Sequence, residues 1–255
     1  MQCTEDLDFY LSAVLFISGV LYLIRQLALP APYGKHVEND KKHRYIMVPA
    51  KYAWFIQEVP SFLVPVLVIL HSQQKWGTLS CMMLLFMFCG HYFHRSFIYS
   101  AFTRGRPTPL HIVIMAVAFC SYNGFLQGHC LVYGAAYDKE WYKDIRFASG
   151  IMIFIIGMGI NIHSDHILRN LRKPKEVSYK IPQGGMFKYV SGANFLGEIV
   201  EWFGYAIATW TLPAFAFAFF TLCSIGPRAY HHHRYYLQVF KDYPKERKAL
   251  IPLIF

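Results

Sequence analysis

FLGEIVEWFGYAIATWTLPAFAFAFFTL, residues 195–222, is an apolar stretch of 28 residues broken by Pro213. A membrane span needs about 20 mostly apolar residues. The stretch is long for one kinked span and suits two tightly turned ones, with the break near Thr211–Pro213. Upstream, residues 9–29, 52–71, 79–102, 110–135 and 147–168 are apolar runs of spanning length. Two spans in 195–222 give a total of seven, and one span would give six.

Charge placement decides between these counts. Lys35, Lys41, Lys42 and Arg44 lie in the first loop, Arg104 and Arg106 in the third. The fifth carries Arg169, Arg172, Lys173, Lys175, Lys180 and Lys188, and the tail Arg228, Arg234, Lys241, Lys245, Arg247 and Lys248. The second loop offers only Lys75, and the fourth sets Lys139, Lys143 and Arg146 against Asp138, Glu140 and Asp144. Basic residues gather on the cytosolic side of membrane proteins. Seven helices with a lumenal N-terminus and a cytosolic tail satisfy that alternation. Six would strand the basic tail on the wrong side.

Composition agrees. Of 255 residues, 55% are hydrophobic and 16% charged, where a soluble domain carries about 25% charged residues. Mean hydropathy is +0.27. The net charge of +10 would suggest nucleic acid in a soluble protein, but no nucleic-acid motif accompanies it. Basic loops that orient the chain or bind phosphates account for it instead. The six cysteines form no C-x-x-C pair and read as buried thiols rather than a disulfide framework. The first apolar run follows Glu5, Asp6 and Asp8. A cleaved leader wants a basic start and a shorter apolar core, so a retained first span is expected. No run is long enough for a separate extramembrane domain, and residues 1–255 are expected to form a single membrane domain.

Ionisable groups within apolar spans cost a few kcal/mol on insertion scales and are functional candidates by default. Gln57–Glu58 lie in WFIQEVPS, where Pro60 kinks the helix or marks its start. His91, Tyr92, His94 and Arg95 follow, with Arg95 and Tyr99 near the face of His91. Tyrosines alone would fit an interfacial aromatic belt, but His, His and Arg within one turn do not. Asn161, Asp165, Arg169 and Arg172 share a helical face, and His163 and His166 fall on another. A metal site there lacks an obvious third ligand. Consecutive His231, His232 and His233 point about 100° apart and cannot clasp one ion. Asn194, Glu198 and Glu201 open the 195–222 stretch, the two glutamates on one face. Gly157-Met158-Gly159 is no dinucleotide fingerprint, lacking the third glycine and the preceding strand, and no phosphate loop, G-x-S-x-G or H-E-x-x-H motif is present.

These residues carry a family resemblance along nearly the whole chain. YGKH (33–36), FIQEVPS (55–61), HYFHR (91–95), GRP (105–107), GINIHSD (159–165), LRNLRKP (168–174), IPQGG (181–185), YVSGANFLGE (189–198) and RKALIP (247–252) occur in order. The chain resembles the steroid 5α-reductases, most of all their type 2 branch. That resemblance implies a seven-helix enzyme of the endoplasmic reticulum membrane that reduces the C4–C5 double bond of 3-oxo-Δ4 steroids with NADPH. Testosterone and progesterone are the family's usual substrates. It further implies Glu58 and Tyr92 as the catalytic pair at the steroid C3 carbonyl. Cofactor contacts fall to Tyr33, Lys35, Arg95, Tyr99, Arg106, Asn161, Asp165, Arg172, Tyr179, Asn194, Glu198, His232 and Tyr236. Residues up to about 140 would then serve mainly the steroid and the rest mainly the cofactor, with no metal. Lys180 stands where the type 2 pattern has arginine, a point charge in place of a bidentate fork. The N-terminal helix departs most from the pattern.

The residue chemistry is compatible with this. Hydride attack at C5 of an enone drives charge onto the carbonyl oxygen, and donors aimed there stabilise the transition state above the ground state. Tyr92 can donate, and so can a protonated Glu58. The C4 proton source is not identified by the sequence. Two other readings exist: a membrane methyltransferase, which shares a basic aromatic region such as Arg234-Tyr235-Tyr236 but leaves Gln57–Glu58 unexplained, and a lipid or steroid transporter whose pathway the polar groups line. Beyond a steroid and the bilayer, nothing calls for an obligate protein partner.

Overall fold

The computed structural model describes residues 6–29, 45–72, 78–171 and 179–255. Among them, seven helices of 15 residues or more account for most of the chain.

Helix α1 (Asp6–Ala28) has acidic residues in its first turn and Arg25 in its last, complementing the helix dipole at both ends. Its inward stripe is Asp8, Ser12, Leu15, Gly19 and Gln26. Its outward face carries exposed Phe9, Val14, Ile17, Leu21 and Ile24. Polar and small residues inside with large apolar residues outside is the pattern of a helix whose solvent is lipid. This helix lies along α7 (Leu212–Val239). Tyr22 stacks on Phe220, and Gln26 Nε2 donates to the Ser224 carbonyl at 2.5 Å.

Helix α2 (Ala50–His71) carries Pro60 and Pro65 inside it, so Pro60 does not mark its start. The prolines face α4 (Leu110–His129), which continues as a π-helical turn, Cys130–Gly134. A methyl group added at Gly124 would lie 3.2 Å from Pro60 O and Ser61 Cα, and one at Gly128 2.9 Å from Pro65 Cα. Glycine there lets α4 approach the backbone that carries Glu58. A short antiparallel ribbon, Met47–Val48 with Thr108–Pro109, ties the entrances of α2 and α4 together. Among the described residues it is the one departure from an all-helical expectation besides an isolated bridge between Val190 and Lys248.

Helix α3 (Leu79–Phe93) is capped by Thr78 Oγ1, which accepts from Cys81 N. It widens into a π turn, His94–Tyr99, and ends in a last α turn, Ser100–Phe102. Helix α5 (Ile145–Asn170) is capped by Asp144, and α6 (Ala193–Thr209) runs back along it. At Gly150, Gly157, Gly197 and Gly204 any Cβ would strike the backbone of the facing helix. The two pairs recur every seven residues, so the backbones touch along a seam.

Residues 195–222 form two helices rather than one. Trp210 closes α6 in a left-handed conformation (φ 50). Thr211 is extended, and Pro213 sits in the first turn of α7, where proline is best tolerated. Among the described residues, α1, α2, α4 with its π turn, α5 and α7 are long and apolar enough to cross a membrane. Helix α3, with 15 residues before its π turn, and α6, with 17, are not in that set. Beyond α7 the tail returns to the segment before α6: Ser191 N donates to Lys248 O and Gly192 N to Ala249 O. Buried Arg247 clamps Pro182 O at 2.9 Å and Gln183 Oε1 at 2.7 Å. The described cysteines are all free thiols.

Candidate active site

The π turn of α3 positions the central cation. A π turn adds a residue to the helical ring, and such turns recur at functional sites. Here it brings Arg95 and Tyr99 together, with the guanidinium 4.2 Å from the Tyr99 ring centre and 4.9 Å from that of Trp54 on α2. Packed against these two touching rings, Arg95 donates to Asp165 Oδ2 on α5 at 3.0 Å and lies 3.7 Å from Glu58 Oε1 on α2. Arg95 is 6% exposed, so a charge that would be costly alone is compensated from two helices.

Around this centre stand the other predicted groups. Asn161 Nδ2 donates to the Asn194 carbonyl at 3.0 Å, fastening α5 to the start of α6. Glu198 lies within electrostatic range of Glu58, His91, Arg95 and Asp165. Tyr92 is buried against Phe88 and stacks on Trp202 at 5.7 Å, with Ser61 within hydrogen-bonding reach of its hydroxyl. Glu58, Tyr92, Arg95, Tyr99, Asn161, Asp165, Asn194 and Glu198 therefore gather in one region between α2, α3, α5 and α6.

The remaining predicted groups make contacts of their own. Arg106 lies 5.2 Å from the Tyr179 ring centre, Tyr179 meets Tyr235, and Tyr236 stacks on Tyr243 at 5.2 Å. The three consecutive histidines face three neighbours. His231 bonds the Gln26 carbonyl, His232 packs on Phe195 and His233 bonds Ser191 Oγ. His163 lies against Gly185 and His166 bonds Arg169 and Asn170, so these two rings are used separately. Arg169 extends over Phe102. Tyr33, Lys35 and Arg172 lie outside the described residues.

Two residues at the centre carry no assignment from the sequence. Glu201 is fully buried, and its Oε1 meets His91 Nδ1 at 2.6 Å. Trp202 beside it touches both His91 and Tyr92. A buried carboxyl inside an apolar helix was a legible signal, but its partner lies 110 residues away. Four carboxyls, Glu58, Asp165, Glu198 and Glu201, thus share one guanidinium and one imidazole.

Buried polar groups at the centre of a bundle of long apolar helices define a multi-pass membrane protein with an internal polar site. Residues 106–255 match the family described as 3-oxo-5-alpha-steroid 4-dehydrogenase. The chain is similar to "3-oxo-5-alpha-steroid 4-dehydrogenase 2" of Homo sapiens, 56% identical over 100% of this chain and 99% of the relative. The protein so named in Sus scrofa is 57% identical over the same shares. "3-oxo-5-alpha-steroid 4-dehydrogenase 1" of Macaca fascicularis is more distant, 47% identical over 93% of this chain and 90% of its own length. The chain belongs to the 3-oxo-5-alpha-steroid 4-dehydrogenase family, on the side of its type 2 members.

Proposed function

We propose that the protein reduces the C4–C5 double bond of 3-oxo-Δ4 steroids such as testosterone or progesterone, with NADPH as reductant. The observation that carries this reading is the Glu58–Arg95–Asp165 ion cluster beside buried Tyr92, in a chain whose relatives are named for that chemistry. The donor chemistry of the chain suits an anionic dinucleotide. Arg106 Nε is a buried N–H without an acceptor, and a phosphate oxygen would satisfy it. Tyr179, Lys180, His232 and Tyr236 supply further donors and aromatic faces along the same side. Asn161, Asp165, Asn194 and Glu198 would hold the reduced ring near Arg95. Tyr33, Lys35, Tyr99 and Arg172 complete the proposed shell.

NADPH, when bound, supplies a hydride to C5. Tyr92 donates from its hydroxyl to the C3 carbonyl oxygen, where negative charge gathers as C5 accepts electrons. Glu58 is the second donor. Arg95 bonds Asp165 and lies beside Glu58 in the buried centre, which holds the Glu58 carboxyl near Tyr92. Arg95 fixes the Glu58 carboxyl by charge and is itself fixed by Trp54 and Tyr99. The aromatic packing around Tyr92 excludes water, which strengthens each of these interactions.

In the same reading the chain crosses the endoplasmic reticulum membrane seven times, N-terminus lumenal and C-terminus cytosolic. Helix α6 is a shielded crossing inside the bundle, and α3 with its π turn crosses with one apolar face, including Phe86 and Phe93, turned outward. Residues up to about 140 serve the steroid, and those beyond serve the cofactor. The alternation of basic loops supports this orientation.

The test is NADPH consumption by the purified protein in lipid nanodiscs. Absorbance at the reduced-nicotinamide band should fall only when a 3-oxo-Δ4 steroid is added, with the product heavier by two hydrogens. The matching 3-hydroxy steroid, which has no carbonyl to polarise, should leave NADPH untouched. Steroid-independent consumption, or none with either compound, would sink the reading.

A further inference from the structure

Two consecutive residues of α6, Glu201 and Trp202, grip two consecutive residues of α3, His91 and Tyr92. Glu201 Oε1 meets His91 Nδ1 at 2.6 Å. Trp202 lies 4.6 Å, centre to centre, from the His91 ring and stacks on Tyr92 at an interplanar angle of 27°. Beneath them, Phe217 packs 4.6 Å from Trp202, and Phe88 and Tyr205 close the stack.

Stability gives little reason for this arrangement. A buried ion pair gains little over apolar packing of the same volume. Glu201 is 0% exposed, yet its second oxygen, Oε2, has no hydrogen-bond partner. A half-satisfied carboxyl in a dry core is costly. Neither residue sits at a helix end where a dipole would favour its charge: Glu201 is in the middle of α6, and α3 continues past His91 into the π turn.

What the pair does achieve is orientation. The Nδ1–Oε1 hydrogen bond ties the imidazole to α6 whichever partner carries the proton. The imidazole is then held in one ring plane. The His91 ring meets the Tyr92 ring edge to face, 5.0 Å away at 77°, and Trp202 touches both, so the three rings pack as a triangle that fixes the phenol. We propose that Glu201 is a positioning residue for Tyr92, acting through His91 and Trp202 to hold the phenol on the line to the steroid carbonyl. This rests on the reductase reading above.

The test is a double-mutant cycle in nanodiscs with a 3-oxo-Δ4 steroid. Glu201→Met keeps the volume and removes the acceptor. It should lower kcat by about 10- to 100-fold, the cost of misplacing a reacting group by a fraction of an ångström to an ångström. KM for NADPH should stay within about threefold. Glu201→Gln, whose amide oxygen still accepts from Nδ1, should recover most of the lost kcat. In a Tyr92→Phe background, Glu201→Met should cost little more, because the hydroxyl it positions is gone. If Glu201→Met does not fold, His91→Phe keeps the ring packing and removes the hydrogen bond, and the same cycle is run with it. Losses that multiply across the cycle would overturn the inference, as would unchanged kcat in the single variant. Wild-type protein that never reduces the steroid would overturn the reductase reading, and the inference with it.

Discussion

Asp8 and His129 meet at 2.9 Å, and His91 and Glu201 meet at 2.6 Å, each pair buried between helices. The first joins the opening turn of α1 to the last α-helical turn of α4. A carboxylate is favoured at a helix N-terminus, so helix geometry accounts for the acid of that pair as a tether. The second has no such reason and lies among Arg95, Glu58 and Tyr92. The same two chemical groups therefore serve as a fastening in one place and, in the proposed reading, as part of the reactive centre in the other. Their surroundings, rather than their burial or distance, distinguish the two.

The largest effects should come from the centre. Glu58→Gln and Tyr92→Phe each remove or weaken a donor at the carbonyl oxygen. Each should lower kcat by about 100-fold or more, while NADPH affinity, measured by equilibrium titration, changes little. Near-normal steroid reduction by both variants would remove the distinction between the two pairs.

Next comes the seam that presents Glu201. Gly157 faces the backbone of Glu201 and Gly197, whereas Gly159 has open space. Gly157→Ala should cost about 1–3 kcal/mol by overpacking and should lower kcat as α6 shifts and Glu201 leaves His91. Gly159→Ala should be neutral or slightly stabilising, since alanine is the better helix former. Thermal unfolding with steady-state assays separates them, and equal behaviour of the two would refute the seam.

These cases mark what the sequence made legible. The split of 195–222 into two helices followed from its length and Pro213, because membrane thickness acts on local sequence. Glu58, Arg95 and Asp165 were visible as charges in lipid. The π turn was not, since nothing in His94–Tyr99 differs from ordinary helix-forming sequence, yet that turn sets Arg95 over Tyr99. The glycines at 157 and 159 look alike as letters, and only the facing helix makes one irreplaceable. Glu201 and His91 were both noticeable, but their pairing is a product of tertiary packing.

A smaller effect is expected at the tether. Asp8→Asn keeps the shape of the side chain and removes its charge. It should lower stability by about 1 kcal/mol, read as a lower melting temperature, with kcat per folded molecule unchanged. A fall in kcat that stability does not explain would make this pair part of the active centre as well.

The smallest effect belongs to a third acid, outside the bundle. Asp144 caps α5 and bonds Arg146 through both oxygens, at 2.9 and 2.7 Å. The Arg146 guanidinium, followed by the Arg146 N–H, pulls its carboxyl down to about 2 from the ordinary 3.8. A depressed folded-state value means the stabilisation is present above about pH 4 and is lost as pH falls towards 2. The pair is solvent-exposed, so the effect is small and weakens with salt. Arg146 also lies between Trp141, 4.6 Å away, and Trp210, 4.9 Å away. Trp210 is the left-handed residue that splits 195–222 into α6 and α7, so Asp144 orients the cation that braces that split. Asp144→Asn retains a capping oxygen and removes the titration. The melting-temperature gap between wild type and variant should therefore be largest above pH 4 and close as pH approaches 2. A gap that stays constant over that interval would mean that the two tryptophans, rather than the carboxylate, hold Arg146 in place.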